Sequence, residues 1–107
     1  MAMIKIFWTE TAIKQRNYIF EYWTERNKSN SYAKRLNIKI NDRLSMLRSQ
    51  PKSGKESDFK DVRVVSLGHY SILYKFKKHQ IIVVGFWDNR QEPQKLLNFL
   101  RNKTGTQ

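Results

Sequence analysis

Apolar and polar residues alternate at the start of the chain, in "IKIFW" (Ile4 to Trp8), and that period of two predicts a short strand. Thr9 stands next as a helix cap, with Glu10 well placed for a first turn. The period then lengthens. Ala12, Ile13, Ile19, Phe20 and Trp23 share one broad face, which predicts a helix to about Asn27. The polar run "NKSNS" (Asn27 to Ser31) breaks it, and Asn30 or Ser31 can cap a second helix. There Ala33, Leu36, Ile40, Leu44 and Leu47 form a stripe, while Lys34, Arg35, Lys39, Asn41, Asp42 and Arg43 stay wet. A short link between two amphipathic helices predicts an antiparallel helical hairpin.

"SQPKSGKESD" (Ser49 to Asp58) is the main loop, with Pro51 and Gly54 and no apolar residue that has a packing task. Past it the period returns to two. "VRVVSL" (Val62 to Leu67) reads as a strand, and Gly68-His69 as a tight connection. "YSILYKF" (Tyr70 to Phe76) puts Tyr70, Ile72, Tyr74 and Phe76 on one face. "KKHQ" turns the chain without the Asn-Gly signal of the tightest hairpins. "IIVVGFW" (Ile81 to Trp87) is apolar on both faces, as a central strand covered on both sides would be. Unbroken alternation would place Ile81, Val83 and Trp87 on one face and Ile82, Val84 and Phe86 on the other. Pro93 suits the first turn of a closing helix that gathers Leu96, Leu97, Phe99 and Leu100, and 103–107 reads as a frayed tail.

The expected fold is therefore α+β: a single domain over residues 1–107, ordered β-α-α-β-β-β. The helical hairpin packs on a four-stranded, mainly antiparallel sheet, and a short C-terminal helix follows. A hairpin covers only one sheet face. The other needs the terminal helix or a partner protein.

Charge changes this picture. The 107 residues carry 21 Lys+Arg against 9 Asp+Glu, a formal charge of +12. Residues 1–49 hold ten basic and four acidic side chains, and residues 50–107 hold eleven and five. The charge is thus spread over the domain rather than confined to a tail, and it favours a polyanion or an acidic protein as partner. With no cysteine, disulfides and thiolate metal sites are excluded, and a reducing compartment is permitted. "MAMIKIFWTE" lacks the apolar region and cleavage site of a signal peptide, and no apolar run approaches the roughly 20 residues that span a bilayer. A cytoplasmic protein without membrane partners is expected.

Few constellations for catalysis remain. The two histidines, His69 and His79, sit on separate turns without ligand spacing, so no metal site is expected. Four scattered glycines form no phosphate loop. Asp58 with Asp61, or Asp88 with Glu92, could pair as carboxylates, but in so basic a chain they read more simply as ion-pair partners. Lys52, Lys55, Lys60, Arg63, Lys75 and Arg90 surround the sheet and mix with His69, Tyr70, Tyr74 and Trp87. Cations hold phosphates, aromatics can stack on bases, and a cation can stabilise a phosphodiester transition state. Tyr74 and Trp87 alternate with aliphatics and read first as core. Lys75, Lys77 and Lys78 read as a solvated hairpin end that guards the sheet edge. His69 reads as a turn residue, although histidine suits proton exchange near neutrality. Arg63 and Arg90 lie within or just after apolar strands, where a charge needs a task. That task is either a ligand or a structural ion pair with Asp61 or Asp88.

Four stretches, "IFWTETAIKQRNYIFEYW", "SYAKRLNIKINDRLSMLRSQPKSG", "DVRVVSLGHYSILYKF" and "IIVVGFWDNRQEP", follow in an order and spacing that resemble the RelE/ParE superfamily of toxins from bacterial type II toxin–antitoxin systems. The resemblance covers nearly the whole chain. It implies a small β-α-α-β-β-β domain blocked by an acidic, partly disordered antitoxin that wraps around it. RNA-cleaving RelE-type members carry basic residues along the second and third strands, an Arg after the last strand and often a Tyr near the C-terminus. Arg63 resembles the first set and Arg90 the second. Ser71, however, stands where such members often have an Arg, no Tyr follows Tyr74, and the His-Tyr ending of a related nuclease branch is absent. ParE-type members act on DNA gyrase and need no nuclease set. The resemblance thus implies a growth-inhibiting toxin, with ParE-like action on gyrase favoured. A RelE-like, metal-independent, ribosome-dependent mRNA endonuclease is the alternative, and a non-catalytic basic binding module the third reading. The endonuclease would use Arg63, Arg90 and His69. Lys52, Lys55, Lys60, Arg63 and Arg90 would meet nucleic acid or the target, and Val84, Phe86 and Trp87 the antitoxin. No cofactor is expected.

Overall fold

A computed structural model describes residues 3–90; the expected closing helix after Pro93 and the tail lie outside them. The chain runs β1 (Lys5–Trp8), α1 (Glu10–Asn27), α2 (Ser31–Ser49), β2 (Lys55–Glu56), β3 (Arg63–Leu67), β4 (Tyr70–Lys77) and β5 (Gln80–Asp88). Thr9 caps α1 as its position predicts, its Oγ1 accepting the Ala12 N–H at 3.1 Å. Lys28 closes the helix in the left-handed region, at φ 54°. Asn30 is the N-cap of α2 without a side-chain cap bond, and the predicted stripe Leu36, Ile40, Leu44 and Leu47 is buried. No helix among the described residues is long and apolar enough to cross a membrane.

The sheet has five strands rather than four, in the order β1-β5-β4-β3-β2. The extra strand is the two-residue β2, inside the stretch that composition marks as loop. Lys55 and Glu56 pair antiparallel with Val64 and Arg63. A polar dipeptide carries no periodic signal, so only the pairing reveals it. β1 runs parallel to β5, and the remaining pairs are antiparallel. The sheet is thus mixed, with β5 placed between β1 and β4 as its apolar run implies.

One feature overturns the expected faces of β5. Leu73 pairs with Gly85, but the next residue, Tyr74, pairs with Val83. Val84 is therefore an extra residue, a bulge that shifts the strand's phase. Before it, Ile81 and Val83 face the helices. After it, Phe86 joins them, while Val84 and Trp87 pack on the opposite face with Leu73, Val62, Phe59 and Val64. The expected sets, Ile81, Val83 and Trp87 against Ile82, Val84 and Phe86, assumed no bulge. Gly85 was the available signal, because glycine inside a strand often marks one. β4 keeps its phase, and Tyr70, Ile72, Tyr74 and Phe76 share the helix-side core.

The β4–β5 turn holds two adjacent non-glycine residues at positive φ, Lys78 at 52° and His79 at 61°. Side chains with a Cβ disfavour that region, whereas Asn-Gly fits it. The double change Lys78→Asn with His79→Gly is expected to stabilise the domain by about 1 kcal/mol, read as a higher thermal midpoint. An unchanged or lower midpoint would mean that this turn geometry is not strained.

Candidate interaction site

Aromatic residues from four elements meet at one end of the sheet. Trp23 of α1 lies 5.0 Å from Tyr32 of α2, centroid to centroid, and the Tyr32 and Tyr70 hydroxyls hydrogen-bond at 2.9 Å. Tyr70 of β4 stacks on Phe86 of β5 at 5.2 Å. Burial, then the Tyr32 hydrogen bond, raises the Tyr70 phenol well above its usual range, so it stays protonated at neutral pH. It donates and accepts hydrogen bonds but offers no base.

Arg90 closes this cluster. Its guanidinium lies 5.6 Å from the Trp23 centroid and 5.9 Å from that of Tyr70. One edge of the guanidinium binds Asp88, Nε to Oδ1 at 2.9 Å and Nη2 to Oδ2 at 2.8 Å. The Arg90 backbone N–H also donates to Asp88 Oδ1 at 2.9 Å. The side-chain pair lowers the Asp88 carboxyl below the usual range, against an opposing effect of burial, and raises Arg90 further. Nearby, Ser71 donates to Asn89 Oδ1 at 2.8 Å. His69 is exposed on the β3–β4 turn.

Arg63 does a different task elsewhere. Its row, Arg63–Tyr74, is four residues along β3 from the row Leu67–Tyr70–Asp88, about 14 Å away at strand spacing. The core side chains Ile72 and Phe86 lie between. Arg63 Nη1 donates to the carbonyls of Lys52 at 3.1 Å and Gly54 at 2.8 Å, and Nη2 pairs with Glu56 at 3.6 Å. Tyr74 holds the same loop, its hydroxyl donating to the Pro51 carbonyl at 2.8 Å and accepting the Gly54 N–H at 3.0 Å. The approach is so close that a Cβ on residue 54 would fall 2.6 Å from that hydroxyl. Lys52, Lys60 and Arg63 line one hollow of about 480 Å³, shared with Glu56, Asp58 and Asp61. Lys55 is exposed beside it. Asp61 pairs with Lys77, not with Arg63. The nominated residues thus fall into two groups: Arg90 with His69 at one end, and Arg63 with the lysines at the other.

One concavity among the described residues is not revealed by residue spacing. A groove of about 740 Å³ runs between α1 and the outer half of β5. Lys14, Tyr18, Tyr22 and Arg26, each four positions apart, line its α1 wall, and Phe86, Trp87, Asp88 and Arg90 line its β5 wall. Tyr18 and Tyr22 stay 69% and 47% exposed, a large aromatic surface for one helix face. Of the three residues nominated for a protein partner, Phe86 and Trp87 border this groove, although Trp87 packs with Val84 on the opposite sheet face. The i, i+4 series on α1 was the missed signal.

Comparison with known proteins decides the family. The family model for the ParE toxin of the type II toxin–antitoxin system parDE matches residues 6–93. The chain belongs to the ParE toxin family. It is thereby a type II toxin of the RelE/ParE superfamily. Among solved structures, the chromosomal ParDE toxin–antitoxin system from P. aeruginosa has a chain of the same fold. That match has a TM-score of 0.67 at 18% identity, over 78% of this toxin and 94% of the other chain. No curated protein matches the toxin's sequence.

The Asp88–Arg90 pair gives the toxin a defined response to acid. A carboxyl lowered by folding contributes stability above its unfolded value, near 3.9, and loses that contribution as pH falls through the folded value. Asp88→Asn should therefore cost about 1 kcal/mol at pH 7, the usual worth of a charged hydrogen bond reduced for the half-exposed Arg90. The gap to wild type should close as pH falls below about 4. Urea midpoints of both proteins between pH 7 and pH 3 check this, and a gap independent of pH would contradict it.

Proposed function

We propose that this toxin inhibits growth by binding DNA gyrase rather than by cutting mRNA, and that an acidic antitoxin blocks it through the groove between α1 and β5. The observation that carries the first part is the employment of both nominated arginines. Arg63 Nη1 donates to two loop carbonyls and its Nη2 pairs with Glu56, and the Nε–Nη2 edge of Arg90 is held by Asp88. A cation committed in this way is a poor clamp for a phosphodiester transition state, which needs free, preorganised donors. The third nominated residue, His69, lies on an exposed turn at the Arg90 end, far from Arg63. General acid–base catalysis needs its groups within hydrogen-bond reach of one reacting centre. Membership in the ParE family supports the same reading.

The groove suits the antitoxin on chemical grounds. Its exposed lining is mainly apolar, with five aromatic residues, and Lys14 and Arg26 also line it. In a chain of charge +12, an apolar segment flanked by carboxylates is the complementary partner.

Brief expression in bacteria tests the target. Mapping mRNA 5′ ends and gyrase-linked DNA breaks in the same cells is expected to show breaks and an SOS response, with transcripts intact. Codon-phased mRNA cuts without DNA damage would sink the gyrase reading and restore the endonuclease. Growth without any defect would favour a silent binding module.

A further inference from the structure

The two helices of the hairpin differ sharply in charge. α1 balances three acidic residues against three basic ones. α2 holds five basic residues, Lys34, Arg35, Lys39, Arg43 and Arg48, against Asp42 alone, a net +4 in 19 residues. That is a third of the formal charge of the whole chain, +12. Three of these cations form a row. Arg35, Lys39 and Arg43 recur every fourth position, and each stands just before a buried residue of the core stripe, Leu36, Ile40 or Leu44. The row therefore follows one flank of α2, its members about 6 Å apart along the helix axis. Arg35 and Lys39 are exposed, and Arg43 is half-buried. Lys34 and Arg48 fall on the opposite flank at helical spacing.

The packing of the domain gives this row no task. Among the described residues, Arg35, Lys39 and Arg43 enter no ion pair and no cation–π contact. Arg16, Arg26, Arg63 and Arg90 each enter at least one. Like charges four positions apart on a helix repel each other. α2 also has no acidic residue in its first turn to offset Arg35 near its positive end. The row thus weakens the helix that carries it, and a bound polyanion would relieve that repulsion.

We propose that the row of Arg35, Lys39 and Arg43 binds the phosphate backbone of duplex DNA without regard to sequence. The choice of DNA rests on the gyrase reading, since a toxin held on that enzyme works beside a duplex. A regular file of cations complements the regular file of phosphates along a strand. Contacts to phosphate position a protein without reading bases. A single strand fits less well, because its bases need rings to stack on. Tyr32, the aromatic residue of α2, is engaged with Trp23 and Tyr70. An acidic protein also fits less well, because protein contacts are anchored by clustered large side chains. The large exposed apolar residues of α2, Ile38 and Met46, stand eight positions apart. A second copy of this chain would bring like charges together.

Fluorescence anisotropy of the full chain with a labelled duplex of about 20 base pairs, from about 50 to 200 mM salt, tests this without gyrase. Log affinity should fall steeply with log salt. Arg35→Gln with Lys39→Gln should flatten that slope by about 2 and weaken binding roughly tenfold. Lys34→Gln with Arg48→Gln removes the same charge from the opposite flank and should change both far less. Glutamine is a good helix former, so both variants keep α2. Equal effects from the two variants would mean attraction by bulk charge, which overturns the row. Absence of duplex binding at the lowest salt would also overturn it, and would leave the gyrase reading standing. Tighter binding to a single strand of the same length would overturn the choice of duplex. Polyglutamate bound as tightly as the duplex, with the same response to Arg35→Gln and Lys39→Gln, would make the row a site for acidic protein instead. Duplex binding through the row by a toxin that leaves gyrase-linked breaks at background would sink the gyrase reading and uphold the row.

Discussion

A single inserted residue organises the working end of this domain. Val84 bulges from β5, and the strand changes phase there. Without that shift Phe86 would turn away from the helices and could not stack under Tyr70. The Tyr32–Tyr70 bond and the seat of Arg90 between Trp23 and Tyr70 are built on that stack. Just before the bulge β1 ends and α1 begins, so the outer half of β5 faces a helix instead of a strand. The groove and the aromatic cluster both follow from that geometry. Gln15 repairs part of the cost by taking the Phe86 N–H that the departing strand leaves unmet.

Charge is allotted with the same economy. The chain is strongly basic, yet Arg63 and Arg90, within and just after sheet strands, are held by its own acceptors. Arg63 and Tyr74 together pin the loop after α2, a loop that has little hydrophobic burial of its own. Arg90 and Asp88 fix the last turn of the described chain against Trp23. Exposed positive charge lies on loop tips, at positions such as Lys52 and Lys55, where it attracts acidic surfaces but does not converge on one reacting centre. This distribution favours recognition over chemistry.

Much of the fold was legible in residue patterns. The Thr9 cap, both helices, the α2 stripe and the face of β4 follow from period and capping alone. Three features were not. Lys55–Glu56 forms a strand only because β3 runs beside it, and tertiary pairing leaves no periodic trace in two residues. The faces of β5 turn on the Val84 bulge, for which Gly85 was the single hint. The mate of Arg63 proved to be backbone carbonyls and Glu56, because hydrogen-bond partners brought together by a long-range fold have no fixed sequence spacing. The site was legible to the same extent: Arg90 and its pairing with Asp88 could be read from adjacency, but the groove needed α1 and β5 side by side.

The central claim is that this toxin works by holding a target rather than by cleaving RNA. The most direct measurement places the purified chain with DNA gyrase and supercoiled plasmid, and in parallel with ribosomes programmed by a defined mRNA. The account predicts linear plasmid after detergent and protease treatment, from trapped gyrase–DNA complexes, and full-length mRNA on the ribosomes. Intact plasmid together with mRNA cut at the ribosomal A site would contradict it.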